Sequence, residues 1–261
     1  MRIGYDVVGN IAILKFDREA SASLKKKFAA GYLRHNKSVT TVLEKVGKFS
    51  GRLRTLKTKF LAGDRTREAL YRENRCEFRF NVDTCYFSPR LSEERKTIAS
   101  FVKRRERVLV MFGGVAPFAV VIGKTRKPSE VVSVELGRAC LPYALMNVKR
   151  NKLEGIVKVV QGDVRRVIGA GKKVSGVFDR IVMARPNLED DFLDVAFRVV
   201  RKGTIIHYYG FYLETEINNM KELIMEKAKI AGKKVKILRV VKAGDIGNRR
   251  WRYRADIEIM N

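Results

Sequence analysis

The sequence predicts an α/β protein in which a small α+β domain, residues 1–95, precedes a domain built on a parallel sheet, residues 96–261. Three observations support this fold class. The first part carries short runs of alternating apolar and polar residues together with one helical segment. After residue 106, short apolar strands alternate with helical segments, which is the pattern of βαβ units. The composition, 46% hydrophobic over 261 residues, is enough for a buried core.

The first domain is expected to begin with a β-hairpin. Two apolar runs within residues 5–16 flank Gly9-Asn10, a dipeptide that suits a two-residue hairpin turn. A strongly basic helix is expected over residues 18–36, and β-like runs such as CEFRFNVDTCYF follow within residues 38–87. A helix and a connector over residues 91–105 then lead into the second domain.

The second domain is expected to alternate strands and helices over its whole length. Residues 189–201 give a clear helix signal, because their apolar residues recur at i, i+3, i+4 and i+7. The other predicted helices cover residues 138–150 and 215–231, an apolar segment covers 118–124, and the predicted strands cover 108–111, 131–135, 157–163, 178–184, 204–209, 234–241 and 251–259. This order predicts a parallel sheet with helices packed against it.

The three cysteines and two histidines predict neither a disulfide framework nor a metal site. Cys76, Cys85 and Cys140 are widely spaced and lack the paired spacing of zinc ligands, so we expect buried thiols in a reducing cytoplasm. His35 and His207 have no cysteine or acidic cluster beside them in the sequence, so we expect no metal. We interpret His207 as a strand histidine beside the site rather than as a catalyst.

No segment of the sequence predicts a membrane span. The longest uncharged stretch, residues 108–122, is shorter than the roughly 20 residues that a spanning helix needs. Gly113, Gly114 and Pro117 interrupt it. The chain also opens on alternating polar and apolar residues rather than on an apolar signal segment. We therefore expect a cytoplasmic protein without a membrane partner.

The charge balance points to a polyanionic partner. The chain has 55 Lys and Arg against 28 Asp and Glu, a formal net charge of +27, and such an excess favours phosphate contacts. Because the excess is spread over both domains, it is also compatible with a bias of composition. Residues 249–254, RRWRYR, interleave arginines with aromatic rings, which suits base stacking with phosphate contact. The alternative is an edge strand whose arginines face water while its rings pack inward.

Three features at the predicted strand ends suggest a nucleoside site. A glycine-containing turn, residues 112–117, follows the first strand of the parallel unit, Glu135 ends the second strand, and Asp163 ends the third. In an open parallel sheet, ligands bind beyond the carboxyl ends of the strands. Glu135 could accept hydrogen bonds from ribose hydroxyls, and Asp163 would lie near an adenine amino group. The turn lacks the full dinucleotide fingerprint, which favours S-adenosylmethionine; the alternative is that both acids merely cap strand ends.

The chain resembles the archaeal and eukaryotic tRNA (guanine-37-N1)-methyltransferase family over nearly all of its length. The resemblance rests on YDVVGNIAIL, LRTLKTKFLAGDRTREALYRENRCEF, YFSPRLSEER, MFGGVAPF and NVKRNKLEG, of which YFSPRLSEER is the most specific. It implies a Rossmann-like class I methyltransferase domain after the small domain. It also implies methyl transfer from S-adenosylmethionine to N1 of the guanine beside the anticodon. We expect a monomer that acts on tRNA without a protein partner and lacks the additional N-terminal domain of many members.

The resemblance also assigns roles to individual residues. Glu94 matches the proposed general base, and Arg95 matches a residue near the donor. Arg54 matches an arginine that orients the guanine, and Tyr86 would pack beside the methionine moiety or the target base. Each has a plainer interpretation: a helix first-turn acid for Glu94, a solvated strand arginine for Arg54, a core ring for Tyr86. The remaining assigned positions are Pro186 in catalysis and, for donor binding, Phe112, Gly113, Gly114, Val115, Glu135, Leu136, Asp163, Val164 and Ala184.

Three departures from the family pattern keep other functions open. Val110 stands where the family has Asp, FGGVAPF replaces FAGVGPF, and Ala184-Arg185-Pro186 replaces Asn-Leu-Pro. The related aminocarboxypropyltransferases of the wybutosine pathway also lack Asn-Leu-Pro and transfer another group of the same donor. The alternatives to methyl transfer are therefore aminocarboxypropyl transfer to a modified tRNA guanine, or a tRNA-binding protein with weakened catalysis.

Overall fold

The computed structural model describes residues 3–17, 19–47, 49–185, 189–247 and 250–261. The strands are β1 Gly4–Val8, β2 Ile11–Lys15, β3 Thr41–Lys45, β4 Thr58–Gly63, β5 Glu68–Glu73, β6 Cys76–Asn81, β7 Arg107–Met111, β8 Glu130–Glu135, β9 Val157–Gln161, β10 Phe178–Met183, β11 Val200–Leu213, β12 Val235–Gly247 and β13 Arg250–Ile259. The α-helices are α1 Ala22–His35, α2 Ser92–Phe101, α3 Pro117–Arg126, α4 Leu141–Arg150, α5 Val164–Val167, α6 Leu193–Ala196 and α7 Ile217–Ile230.

The N-terminal part is β-rich and is built on a four-stranded sheet of order β1-β2-β3-β4. The predicted hairpin is confirmed, since β1 and β2 pair in antiparallel register across Gly9-Asn10. Helix α1 connects β2 to the parallel strand β3 and covers a small core that includes Leu14, Ala29 and Val42. Gly9 has φ 58°, and a Cβ there would lie 1.9 Å from the carbonyl oxygen of Leu70. The turn therefore requires glycine, because β5 lies directly against it.

A second hairpin, β5–β6, joins the N-terminal sheet to the C-terminal part. The backbone N–H groups on its outer side donate to two asparagines about one helical turn apart, Asn147 of α4 and Asn151, the residue that caps the end of α4. The N–H of Arg79 donates to Asn147 Oδ1 at 2.8 Å, and the N–H of Glu77 donates to Asn151 Oδ1 at 3.0 Å. Asn147 and Asn151 are buried, so these bonds offset the cost of burying polar groups and hold the hairpin against α4.

The C-terminal part is a seven-stranded mixed sheet of order β12-β13-β11-β10-β7-β8-β9. Strands β7 to β11 are parallel, and β13 and β12 are added in antiparallel register. The chain moves outward from β7 to β8 and β9, and then returns to β10 on the other side of β7. The order of strands therefore reverses between β7 and β10, which is where an open α/β sheet binds ligands. The predicted α/β fold, a Rossmann-like domain after a small α+β domain, is confirmed.

One prediction about an individual element is wrong, and one of the two alternatives for the basic aromatic cluster is excluded. Residues 189–201 do not form one helix: α6 ends at Ala196, a 3-10 turn follows over Phe197–Val199, and β11 begins at Val200. The apolar spacing correctly predicts which of these residues are buried. The buried residues are spread over a short helix, a 3-10 turn and the start of a strand, so their spacing does not require one long helix. Residues 250–254 do not lie on an edge strand, because β13 lies between β11 and β12, and Arg252 and Arg254 are buried.

The uncharged stretch 108–122 divides into β7, a loop and the first turns of α3. No helix in the described part of the chain has both the length and the apolar character needed to cross a lipid bilayer.

Candidate active site

A cavity opens at the carboxyl edge of the parallel strands, next to the point where the strand order reverses. It is called the donor cavity below. Residues from the ends of β7, β8 and β9 line one side, and residues from the N-terminal part line the other. Eleven of the residues assigned from the sequence line it: Arg54, Tyr86, Arg95, Phe112, Gly113, Gly114, Glu135, Leu136, Asp163, Val164 and Ala184.

The glycine turn after β7 lies close to the backbone and side chains of β8. A Cβ on Gly113 would lie 2.2 Å from Ser133 Oγ, so only glycine fits there. Phe112 and Gly114 both have left-handed backbone conformations, with φ 64° and φ 56°. The turn thus leaves a shallow backbone surface on the cavity wall, which a flat ring system could approach closely.

Glu135 stabilises this turn from the end of β8. Its Oε2 accepts the N–H of Gly114 at 2.6 Å, and its Oε1 accepts the N–H of Gly137 at 2.5 Å. Burial raises the pKa of Glu135, although these backbone bonds act in the opposite direction. A carboxylate has about four acceptor positions, so Glu135 retains acceptor capacity toward a ligand in the cavity.

Asp163 fits both interpretations from the sequence, since it faces a possible ligand site and also caps a secondary-structure element. It lines the cavity, and it is also the N-cap of the short helix α5, where its Oδ1 accepts the N–H of Arg165 at 3.0 Å. Its Oδ2 lies 3.1 Å from a guanidinium nitrogen of Arg52, a residue of the N-terminal part. Arg52 therefore bridges the two sides of the donor cavity.

Arg95 lines the donor cavity, and its guanidinium forms a buried ion pair with Glu73. It is 1% exposed, contacts the buried Glu73 carboxylate through Nε, and donates to the carbonyl oxygen of Ser88 at 3.1 Å. These contacts fix the loop that carries Tyr86. Above that loop the guanidinium of Arg54 stacks on the Tyr86 ring at 4.1 Å, and Phe49 meets the same ring edge-on at 5.4 Å.

Glu94 is not among the residues that line the donor cavity. Its Oε1 accepts the Tyr209 hydroxyl at 2.5 Å and also contacts the guanidinium of Arg254. Tyr209 does line the cavity, so the carboxylate lies one hydrogen bond behind the wall. Burial lowers the pKa of Arg254, but the neighbouring acids and Tyr209 outweigh this and raise it, so the guanidinium stays charged beside Glu94.

Two assigned residues are not placed at the cavity. Val115 is fully buried and does not line the wall; its carbonyl oxygen accepts the side-chain amide of Asn147 at 3.1 Å. Pro186 lies outside the described residues. The adjoining Arg185 is buried and donates to the carbonyl oxygen of Tyr209 at 3.0 Å, so it supports the wall that Ala184 forms.

A second cavity, called the adjoining cavity below, lies on the other side of Tyr86. Its volume is about 490 Å³. Phe49, Phe80 and Phe87 contribute aromatic walls, and Lys45 and Arg90 contribute positive charge. Both cavities share part of their wall: Arg54, Tyr86, Phe87, Ser88 and Arg252.

Sequence reasoning missed several residues of these walls, including Arg52, Tyr209 and Arg252. Arg252 belongs to the basic aromatic cluster of residues 249–254, and both interpretations of that cluster from the sequence place its arginines at the surface. The two-residue period of a strand places Arg252 and Arg254 on the same face of the sheet. The sequence alone does not show that α2 and the loop of Tyr86 cover this face.

The expectation of three buried thiols is wrong for two of the cysteines. Cys85 and Cys140, which are 55 positions apart in the sequence, form a disulfide with a Cα–Cα distance of 5.5 Å. Cys76 is free and buried. The pairing arises because the loop after β6 packs against the start of α4, a tertiary contact that the spacing of the cysteines does not encode.

His207 of β11 belongs to a buried ionic network with Asp256 of β13 and Arg180 of β10. One ring nitrogen, Nδ1, lies 2.5 Å from Asp256 Oδ1, and Nε2 lies 2.8 Å from a guanidinium nitrogen of Arg180. Since Arg180 can only donate, Nε2 accepts and Nδ1 carries the proton, so the ring is neutral. Across the described residues, no group of three or more Cys, His, Asp or Glu side chains is arranged to hold a metal ion.

Comparison with known proteins agrees with this architecture. Residues 69–240 match the TRM5/TYW2 methyltransferase domain, and residues 1–66 match the TYW2 N-terminal domain. The chain belongs to the TRM5/TYW2 methyltransferase family. This confirms the resemblance drawn from the sequence motifs. The two matches meet between residues 66 and 69, whereas the boundary at residue 95 remains our own proposal.

The similar TRM5/TYW2 proteins span more than one reaction. The tRNA (guanine(37)-N(1))-methyltransferase Trm5b of Pyrococcus abyssi is 31% identical over 90% of this chain and 68% of its own. The tRNA (guanine(37)-N(1))/4-demethylwyosine(37)-methyltransferase Taw22 of Nanoarchaeum equitans is 30% identical over 99% of this chain and 100% of its own. A tRNA(Phe) (4-demethylwyosine(37)-C(7)) aminocarboxypropyltransferase of Methanocaldococcus jannaschii is 28% identical over 80% of this chain and 78% of its own.

Solved structures of the TRM5/TYW2 family have the same fold. The crystal structure of Trm5b from Pyrococcus abyssi aligns with a TM-score of 0.86 at 29% identity, covering 99% of this chain and 75% of that one. A complex of aTrm5 with tRNALeu aligns with a TM-score of 0.83 at 25% identity, covering 99% of this chain and 72% of that one.

Proposed function

We propose that this protein modifies position 37 of tRNA, and that it transfers the methyl group of S-adenosylmethionine to N1 of guanine there. The observation that carries the proposal is the arrangement of two cavities that share a wall, with the Glu94 carboxylate held behind Tyr209 in the wall of the donor cavity. Family membership and the tRNA methyltransferases among its relatives support the same reaction.

The donor cavity suits the nucleoside part of S-adenosylmethionine. The turn at Gly113 provides the close backbone approach, Glu135 provides acceptors for ribose hydroxyls, and Asp163 provides an acceptor at the far end. Arg252 lies on the wall that the donor cavity shares with the adjoining cavity. When bound, S-adenosylmethionine supplies a methyl group made electrophilic by the sulfonium sulfur.

The chain's own contribution is to prepare N1 of the guanine for attack. N1 of neutral guanine carries a proton, and that proton must leave for the nitrogen to become a nucleophile. We assign proton removal to Glu94. Since Glu94 lies one hydrogen bond behind the cavity wall, the N1 proton would reach it through the Tyr209 hydroxyl, which lines the cavity and donates to Oε1. Arg54 and Tyr86 would orient the base on the side of the adjoining cavity.

The tRNA partner is supported by charge and by a relative. The net charge of +27 favours a polyanion, and a similar structure contains tRNALeu. Because the chain belongs to a family of tRNA-modifying enzymes, we do not attribute the charge to composition alone.

Aminocarboxypropyl transfer to a modified guanine is the second candidate. Ala184 on the wall of the donor cavity favours it, since the methyltransferases that the sequence resembles carry an asparagine amide there. A similar aminocarboxypropyltransferase among the relatives supports it as well.

The proposed function can be tested by incubating the protein with methyl-labelled donor and an unmodified tRNA transcript that carries guanosine at position 37. We expect label in 1-methylguanosine after digestion to nucleosides, and no label in a matched transcript with adenosine at position 37. Equal labelling of both transcripts would contradict the assignment to this position.

A further inference from the structure

A row of polar and charged side chains crosses three strands of the sheet and reaches Glu94. Asp256 of β13 lies directly opposite His207 of β11 on one side and Arg239 of β12 on the other. Arg254, two residues before Asp256, shares its face of the strand and contacts both Asp256 and Glu94. Asp256 and Arg254 are each 2% exposed. The Glu94 carboxylate is therefore connected to buried groups that the proposed methyl transfer does not yet use.

Arg254 is shared between two carboxylates. It contacts Glu94 through one terminal nitrogen. Its Nε donates to Asp256 Oδ1 at 2.8 Å, and its other terminal nitrogen donates to Asp256 Oδ2 at 3.3 Å. One positive charge thus faces two negative charges, and Asp256 engages it with two hydrogen bonds against the single bond to Glu94. The guanidinium therefore cannot neutralise Glu94 completely.

Asp256 stays ionised in this row. Burial raises its pKa, but the contacts with His207, Arg239 and Arg254 outweigh burial and hold the pKa well below its usual range. His207 is neutral and only donates a hydrogen bond, and the side chain of Arg239 is 47% exposed to water. The negative charge of Asp256 is thus only partly screened on the buried side, where it acts on Arg254.

Among the described residues, Arg254 is the cation that contacts Glu94. Tyr209 of β11 is neutral and donates to the same carboxylate oxygen, and the Phe118 ring of α3 lies 6.3 Å from the Tyr209 ring. The other charged groups nearby have their own partners: Arg95 pairs with Glu73, Lys96 with Glu93, and Arg252 acts on Tyr209 and Tyr86. A carboxylate paired with an arginine alone is a weak base, because the guanidinium stabilises its charged form. Asp256 offsets this effect, since its negative charge lies on the same guanidinium.

We propose that Asp256 is a positioning residue that takes up the charge of Arg254 and thereby keeps Glu94 basic enough to receive the guanine N1 proton. This inference rests on the proposed function. The N1–H bond breaks, and its proton passes to the Tyr209 hydroxyl as that hydroxyl gives its own proton to Glu94. The electron pair left on N1 bonds the methyl carbon of the donor, and the carbon–sulfur pair returns to sulfur. Asp256 touches neither substrate and acts only through Arg254.

The test uses two substitutions that change the row in opposite directions. Asp256→Asn removes the negative charge beside Arg254, whereas Arg239→Gln removes a positive charge beside Asp256. Single-turnover methylation of the transcript, measured from pH 5 to pH 9, should rise with pH as Glu94 loses its proton. We expect Asp256→Asn to move this rise about one pH unit lower and to reduce the plateau rate about threefold, because a weaker base accepts the proton less readily. Arg239→Gln should move the rise about half a unit higher, since water and salt screen its half-exposed charge.

A titration of the Glu94 carboxyl group itself gives the same information without the reaction. The parent and the variants are labelled with ¹³C in the glutamate carboxyl groups, and the Glu94 signal is identified by its absence from Glu94→Gln. The midpoint of its titration should lie lower in Asp256→Asn and higher in Arg239→Gln than in the parent. Lys242→Gln, a matched control that removes another half-exposed cation of β12, should leave the midpoint and the rate profile unchanged.

The direction of the two shifts separates this role from a merely structural one. Unchanged midpoints, or midpoints that move in the same direction in Asp256→Asn and Arg239→Gln, would overturn the proposal. A slower rate in Asp256→Asn without a shifted profile would also overturn it, because Asp256 would then only support the fold. Shifted midpoints in a protein that leaves guanosine 37 unmethylated would contradict the proposed function alone. If Asp256→Asn does not fold, Arg239→Gln decides.

Discussion

The hydroxyl of Tyr209 donates a 2.5 Å hydrogen bond to Oε1 of Glu94. Tyr209 belongs to β11 and lines the donor cavity, whereas Glu94 belongs to α2. Burial, together with the charge of Glu94, raises the pKa of Tyr209 well above its usual range, so the hydroxyl keeps its proton and remains a donor. With Arg254 on the same oxygen, the carboxylate is fixed between the sheet and α2. A positioned carboxylate of this kind is what removal of the guanine N1 proton requires.

Replacing Glu94 by glutamine should slow the chemical step. The amide keeps the shape of the side chain but cannot accept the proton, and loss of a general base typically costs about 10²–10⁴-fold. We expect a decrease of this size in the single-turnover methylation rate, with donor and tRNA affinity nearly unchanged.

Two further variants locate the effect. Glu93→Gln changes an exposed acid of the same helix turn and should retain the parental rate. Tyr209→Phe keeps the ring in the wall but removes the hydroxyl through which the proton reaches Glu94, and should slow methylation about as much as Glu94→Gln does. A parental rate in Glu94→Gln would show that Glu94 is not the general base and only stabilises the first turn of α2 as an acidic residue.

Replacing Glu135 by alanine should weaken donor binding about 5- to 150-fold, which corresponds to about 1–3 kcal/mol for hydrogen bonds to a charged acceptor. Glu135→Gln should lose less, because the amide still accepts from the backbone. Glu130→Gln, at the other end of β8, removes a carboxylate far from the cavity and should leave donor affinity unchanged. Isothermal calorimetry with S-adenosylmethionine gives the three values, and unaltered binding by Glu135→Ala would remove this residue from the donor site.

The Cys85–Cys140 disulfide should stabilise the junction between the two parts. A closed loop of this length reduces the entropy of the unfolded chain by an amount worth roughly 4 kcal/mol. Reduction should therefore lower the denaturant midpoint of the parent, whereas the variant Cys140→Ser should show no response to reductant. Titration of the unfolded, unreduced protein should find one thiol, that of Cys76. Three thiols in that titration would show that the bond does not form.

The network around His207 should make folding sensitive to acid. Burial lowers the pKa of His207, although Asp256 acts in the opposite direction. Below about pH 6.5 the unfolded chain binds a proton that folded His207 does not, so stability should fall as the pH decreases from there. His207→Gln should remove about 1.4 kcal/mol per pH unit from that slope. The exposed His35, changed to glutamine, should leave the slope intact; equal slopes in parent and His207→Gln would contradict this account.

Local sequence patterns were sufficient for most of the sheet and for one side of the donor cavity. Parallel strands end at one edge, so an acid at the end of β8 and another after β9 necessarily lie near the turn that follows β7. Glu135, Asp163 and the Gly113 turn could be placed on that reasoning alone.

The other side of the site could not be predicted because it depends on contacts between distant segments. The loop of Tyr86 reaches the sheet through the β5–β6 hairpin, and the Asn147 amide that holds this hairpin gives no distinctive signal in the sequence. The same packing brings Cys85 to Cys140 and encloses Arg252. An alternating strand such as β13 reveals which residues share a face, but the face that is covered depends on the rest of the fold.

The most direct test of the account follows the fate of the donor's two transferable groups. The protein is incubated with unmodified tRNA transcript and S-adenosylmethionine that carries one label in the methyl group and another in the carboxyl group. We predict that only the methyl label enters the tRNA, in 1-methylguanosine at position 37, and that the rate falls with Glu94→Gln. Transfer of the carboxyl label to this or to a modified transcript would show aminocarboxypropyl transfer and contradict the central claim.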